Sequence, residues 1–171
     1  MKILPKIHVR NKVNLFKGIK AVILDVDGVM TDGGLFVFES GEHVRKFNVK
    51  DGWGIKELMK QGFHVAVISA GSGEGLRKRL NHLGVKDVFL STKDKLSTFK
   101  RYALEIGIAP SAVAYMGDDM PDLSLLKYVG LACCPADAVS PVKSVCQFVS
   151  TYKGGCGAVR ELAEKVLESK I

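Results

Sequence analysis

Two aspartates, Asp25 and Asp27, stand two apart at the end of the apolar run AVILDVD, and Asp118, Asp119 and Asp122 follow a second run in AVAYMGDDMPD. Charge is most costly to leave unpaired where a buried strand ends, and converging carboxylates repel one another unless something compensates them. A divalent cation would do so. Oxygen-only ligands point to Mg²⁺, which keeps several waters and is commonly held by one or two carboxylates together with substrate phosphate oxygens. A carboxylate beside such an ion can attack phosphorus to form an aspartyl phosphate, while a second carboxylic acid protonates the leaving alcohol. Ser69 at the end of HVAVIS, the backbone N–H groups after it and Lys95 in KDKLSTF would neutralise charge on the transferring phosphoryl group.

These residues need strands that deliver them to one edge. AVILDVD, HVAVIS, DVFLS, AVAYMG, GLACC and CQFVS read as strands that are apolar throughout, as in a parallel sheet covered on both faces. Between them GWGIKELMKQG, SGEGLRKRLNHLG and KDKLSTFKRYALEIG carry helical spacing, and each closes on a glycine suited to a left-handed cap. The alternation predicts an α/β fold with a doubly wound, Rossmann-like parallel sheet, whose ligands gather at the carboxyl ends of the strands. Directly after the first strand, GGLFVFESGEHVRKFNV predicts a β-hairpin flap over about 34–49, with strands Leu35 to Phe38 and Val44 to Val49. A helix is expected from about Ala158 to Glu168, after the breaker-rich turn TYKGGCG that opens a tail over 151–171.

With 171 residues, 47% of them hydrophobic, one compact domain over 1–171 is expected. No apolar run approaches the roughly 20 residues of a membrane span, and MKILPKIHVRNKVNLFK lacks the pattern of a signal peptide, so a cytoplasmic protein is expected. The net charge of +7 favours anionic partners. Its dispersal, without zinc-finger spacing or a dense basic block, favours a small phosphorylated or carboxylated substrate over nucleic acid. Cys133, Cys134, Cys146 and Cys156 form no CxxC pair and are expected to be reduced, the first two as half-buried packing residues. Trp53 reads as a packing anchor.

DVDG, the Ser-ended second strand, the Lys-bearing helix start and GDDMPD, in this order, resemble the four motifs of the haloacid dehalogenase superfamily of phosphohydrolases. DVDGVMTDGG with its immediate hairpin, FNVKDGWGI, VAYMGDDMPDL and GGCGAVRE are similar to the superfamily's small capless branch of 3-deoxy-D-manno-octulosonate 8-phosphate phosphatases. The resemblance implies Mg²⁺-dependent hydrolysis of a sugar-acid phosphate in lipopolysaccharide precursor synthesis, by a cytoplasmic homotetramer whose neighbouring subunits complete each site. It implies Asp25 as nucleophile and Asp27 as general acid and later base. It implies Mg²⁺ on the Asp25 carboxylate, the Asp27 backbone carbonyl and the Asp118 carboxylate. Asp122 or Asp119 would orient a water ligand or Lys95, with Ser69 and the Ala70 N–H on the phosphate.

Two departures bear on the substrate. The side chain expected soon after the second-strand serine is missing from Ala70-Gly71-Ser72, and Cys156 stands where a basic residue is common. Arg45, Lys46, Lys50 and Arg160 are the basic candidates for a substrate carboxylate. An alternative substrate is a nine-carbon acid 9-phosphate of the acylneuraminate type. A phospho-acceptor signalling domain is a further alternative, against which Asp27 speaks because a receiver needs no acid two residues beyond its phosphorylated aspartate. The apolar LFVF run would be poorly stable in an isolated ribbon, which favours burial against sister hairpins in an oligomer.

Overall fold

Every side chain of β1, Ala21–Leu24, is buried, and successive residues face opposite layers. A computed structural model describes residues 15–170 and shows what those layers are; most of the segment weighed for an export signal lies outside them. The chain continues through β2 (Phe36–Val37), β3 (His43–Val44), α1 (Val49–Lys60), β4 (His64–Ile68), α2 (Glu74–Leu83), β5 (Asp87–Phe89) and α3 (Lys95–Glu105). It then forms β6 (Val113–Met116), the short α4 (Leu123–Leu126), β7 (Leu131–Cys134), the short α5 (Ser140–Lys143), β8 (Phe148–Val149) and α6 (Ala158–Glu168).

Six strands form one parallel sheet in the order β5-β4-β1-β6-β7-β8. The chain winds from β1 towards β5, then crosses back to lay β6 on the other side of β1. That reversal leaves a crevice at the carboxyl ends of β4, β1 and β6, the place where such sheets bind ligands. Val22 and Leu24 pack with Ile55 and Leu58 of α1, Leu80 of α2 and Leu162 of α6. Ala21 and Ile23 pack with Phe99 and Tyr102 of α3, Leu125 of α4 and Val142 of α5. Both faces of the sheet are thus covered, which is why its strands carry no polar alternation.

Helix starts and stops follow local chemistry. Asn48 caps α1 by accepting from the Lys50 N–H at 2.8 Å, and Asp94 caps α3 by accepting from the Ser97 N–H at 3.0 Å. The N–H groups opening α6 have a remote partner instead: the buried Asp51 of α1 accepts from Gly157 and Arg160 at 3.2 and 2.8 Å. Burial pushes the Asp51 carboxyl up, and these backbone donors resist the rise.

The hairpin is shorter than expected. β2 and β3 pair over two residues each, and Val49 belongs to α1, because Asn48 caps a helix where the periodicity suggested a strand. Cys133 and Cys134 are fully buried in β7 rather than half-buried, and all four cysteines are free. Trp53 is 47% exposed and serves as a platform for Arg160, whose guanidinium lies 3.8 Å from the ring centroid, so it is no buried anchor. Among the described residues no helix is long and apolar enough to cross a membrane.

Candidate active site

At the mouth of the crevice, Asp25, Asp27, Ser69, Lys95 and Asp118 line one pocket of about 270 Å³, with Ala70, Asp119 and Asp122 completing its wall. Asp25 follows β1 directly and its N–H donates to the Met116 carbonyl of β6 at 3.0 Å, so the sheet itself fixes the carboxylate's base. Asp25 Oδ2 accepts from Lys95 Nζ at 2.8 Å, while the buried Oδ1 has no hydrogen-bond partner. A buried carboxylate oxygen without a donor is costly, and in a residue that lines this pocket it suits a ligand atom that would complete its shell.

Lys95 is only 4% exposed and bridges Asp25 and Asp122, the latter at 2.6 Å. Burial disfavours its charge, but the two carboxylates outweigh that and hold the ammonium above its ordinary pKa. Lys100, farther along the same helix, lies over the Tyr128 ring, 4.8 Å from the centroid. Asp122 is saturated: Oδ1 accepts from Lys95 and from the Tyr115 hydroxyl at 2.5 Å, and Oδ2 from the N–H groups of Asp118 and Asp119 at 3.0 and 3.3 Å. Asp119 is exposed and accepts from the Met120 N–H at 2.7 Å, capping the 3-10 turn Met120–Asp122.

Asp25, Asp118 and Asp122 offer carboxylate oxygens within 4.8 Å of one another. Burial, then the charge of Asp122, raises Asp25 to about 6 against the pull of Lys95. Burial, then the charges of Asp122 and Asp25, raises Asp118 to about 7. Such a cluster fits a hard divalent cation. Because the oxygens of Asp122 are already engaged, the donors available to an ion are Asp25 Oδ1 and the Asp118 carboxylate; Asp122 organises the pair from behind. Gly28, at φ 81°, is what lets Asp118 approach, since a Cβ there would collide with that carboxylate.

Ser69 is buried, and its Oγ accepts from the Gly71 N–H at 3.1 Å, which turns the loop after β4 towards the pocket. The candidate substrate residues separate. Arg45 reaches the pocket wall and pairs with Asp27 at 2.7 Å. Lys46 pairs with Asp32 at 2.6 Å, and Lys50 is exposed at the start of α1. Arg160 is not brought to this pocket: it lies on Trp53 and pairs with Glu164 at 2.7 Å, because its helix faces α1. The exposed Cys156 sits in a turn whose glycines pack on the loop after β1, with the Gly155 N–H donating to Val29 O at 2.9 Å and Asn48 donating to Gly155 O at 3.2 Å.

Sequence reasoning missed Tyr115 and Asp51. A tyrosine inside an apolar strand run gives no sign of the partner its hydroxyl will find, although VAYMGDDMPD places it seven residues before Asp122.

A parallel α/β sheet that presents clustered carboxylates, a buried lysine and a serine loop around one small pocket is the arrangement of a phosphoryl-transfer hydrolase. The model of the haloacid dehalogenase-like hydrolases matches residues 81–162. The 3-deoxy-D-manno-octulosonate 8-phosphate phosphatase of Yersinia pestis is 37% identical over 149 residues, 87% of this chain and 80% of that protein. The crystal structure of the Moraxella catarrhalis enzyme of the same name, in complex with magnesium ion, phosphate ion and KDO, superposes with a TM-score of 0.90 at 31% identity, covering 95% of this chain and 93% of that one. The cobalt-bound Haemophilus influenzae phosphatase gives 0.88 at 38% identity, covering 91% of each chain. The chain belongs to the haloacid dehalogenase-like hydrolases and, within them, to the family of 3-deoxy-D-manno-octulosonate 8-phosphate phosphatases.

Proposed function

We propose that the protein is a Mg²⁺-dependent phosphatase that hydrolyses 3-deoxy-D-manno-octulosonate 8-phosphate to the free sugar acid and phosphate, supplying lipopolysaccharide precursor synthesis in the cytoplasm. The observation that carries this is the asymmetry of Asp25, a residue of the pocket wall close to Asp118: one oxygen is pinned by Lys95 and the other is buried and has no partner. Asp25 Oδ1 and Asp118 would hold the ion, with the Asp27 backbone carbonyl as a further ligand. When bound, Mg²⁺ neutralises charge on the carboxylates and the phosphate oxygens, so that two anions can meet.

Asp25 attacks phosphorus, the bond to the leaving oxygen breaks, and Asp27 gives its proton to that oxygen. Asp27 then takes a proton from the water that hydrolyses the aspartyl phosphate, returning both carboxylates to their starting state. Lys95 keeps Asp25 aligned and offsets charge on the phosphoryl oxygens. Ser69 and the Ala70 N–H bind those oxygens, and Asp119 and Asp122 fix the loop that carries Asp118. Arg45, Lys46 and Lys50 are the basic groups on the side from which a sugar acid would enter.

We read the chain as one domain whose hairpin, with Phe36 and Val37 about 70% exposed, buries its apolar face in a homotetramer. Turnover of purified protein with Mg²⁺ against eight- and nine-carbon sugar-acid phosphates tests the assignment. Preferential release of phosphate from the eight-carbon ester is expected, and its loss by more than a thousandfold in Asp25→Asn is expected with the fold retained. Preference for a nine-carbon ester would overturn the substrate; retained turnover in Asp25→Asn would overturn the nucleophile.

A further inference from the structure

Arg45 lies between two cavities. On one side its Nε and one Nη donate to the two oxygens of Asp27 at 2.7 and 3.1 Å, and its other Nη donates to the Ser72 carbonyl at 3.0 Å. Its side chain is only 7% exposed. On the other side is a cavity of about 450 Å³ between the hairpin and the start of α2, whose wall also includes His43, Phe47 and Arg79. The room that Arg45 occupies depends on Gly71: a Cβ there would stand 2.7 Å from Asp27 Oδ2 and 3.0 Å from an Arg45 Nη. The glycine of one loop and the arginine of the hairpin are therefore a matched pair. A hairpin residue fills the space from which the serine loop has withdrawn its own side chain.

This arrangement bears on Asp27. Both of its oxygens are turned to the guanidinium, and a bidentate Arg–carboxylate fork fixes direction as well as charge. The carboxyl group that serves the leaving oxygen is thus held towards the hairpin. A second carboxylate offered from the 450 Å³ cavity could take the same guanidinium donors, and the fork would then be exchanged rather than broken.

We propose that Arg45 is a positioning residue that couples recognition of the leaving group's carboxylate to release of Asp27. The sugar acid's carboxylate takes the guanidinium, and Asp27, no longer paired, takes up a proton from solvent and turns to the leaving oxygen. The Asp25–phosphorus bond then forms as the phosphorus–oxygen bond breaks, and the Asp27 proton passes to the alkoxide. A neutral sugar phosphate brings no second anion, leaves the fork closed and finds the acid out of place. This discriminates through the transition state as well as through binding. The inference rests on the sugar-acid phosphate reading of the site.

The test compares wild type, Arg45→Ala and Arg45→Lys, each checked for folding by thermal melting. Substrates are the eight-carbon sugar-acid phosphate and a neutral hexose 6-phosphate at saturating Mg²⁺, with calorimetric binding of the free sugar acid as a readout that needs no turnover. Arg45→Ala is expected to lower kcat/KM for the acid ester by about tenfold or more and weaken binding of the free acid about as much. It is expected to raise kcat for the neutral ester several-fold, since Asp27 is no longer held. Arg45→Lys, which keeps the charge but not the fork, is expected to recover part of the acid binding while still speeding the neutral ester. Equal losses on both esters, or a neutral ester turned over no faster, would overturn the proposal and leave the phosphatase assignment standing. A wild-type enzyme that ignores sugar-acid phosphates would overturn the substrate reading, and the carboxylate exchange with it.

Discussion

Adding Mg²⁺ at different pH values tests the electrostatic core of the site. Burial and the neighbouring carboxylates push Asp25 up to about 6 and Asp118 up to about 7, against 3.8 for an unperturbed aspartate. The folded state thus holds protons that the unfolded state gives up between about pH 4 and 7. Their contribution to stability is fully present below the unfolded value and is lost as pH rises through the folded values. For the buried Asp25 the loss is on the order of 3 kcal/mol; the more solvent-screened Asp118 adds less.

A cation that needs both carboxylates ionised has the opposite dependence. Its apparent affinity falls about tenfold per pH unit for each group below its pKa, which makes about a thousandfold between pH 8 and pH 5. That corresponds to about 4 kcal/mol of linked stabilisation, or a difference of about 10 °C in the melting shift produced by Mg²⁺ for a chain of this size. Melting curves with and without Mg²⁺ at pH 5 and 8 read the shift. Calorimetry in buffers of different ionisation enthalpy reads the protons released, expected to be near two at pH 5.5 and near zero at pH 8. A Mg²⁺ shift equal at both pH values, with no proton release, would refute the argument that Asp25 and Asp118 hold the ion.

Asp27→Asn should slow hydrolysis of a sugar phosphate far more than that of p-nitrophenyl phosphate, whose leaving group needs little protonation; equal losses in a steady-state assay would count against its role as acid. Lys95→Met leaves two buried carboxylates without their cation and should cost about 3–5 kcal/mol in a urea melt at pH 8, with much of that recovered at pH 5 as Asp25 takes a proton. Gly28→Ala places a methyl group against the Asp118 carboxylate at a positive φ; Mg²⁺ affinity should fall by about tenfold or more, and stability by about 1–3 kcal/mol. Phe36→Glu together with Val37→Lys should dissociate the proposed homotetramer in sedimentation velocity without unfolding the protomer; an unchanged sedimentation coefficient would count against hairpin-mediated assembly.

Much of this architecture is legible in the chain because its signals are local. Asp25 ends an unbroken apolar run, Gly62, Gly84 and Gly107 mark helix ends with positive φ, and Lys95 opens a helix whose apolar face is plain. The features that are not legible depend on partners far apart in sequence. Asn48 reads as part of a strand until its amide side chain is seen capping α1. Asp51 looks like a first-turn acid, yet its partners lie on α6. Arg45 could be chosen as a basic residue near the site, but neither its fork with Asp27 nor its dependence on Gly71 follows from spacing. Arg160 looked similar on charge alone and is drawn away by an exposed indole.

The loop that follows Asp25 is braced by Gly154 and Gly155, glycines lying more than a hundred residues downstream of Asn48, which helps to hold them. Asp25 is therefore synthesised early but waits for that brace until nearly all of the described chain has left the ribosome. A nascent chain would carry Asp25 without a finished pocket around it.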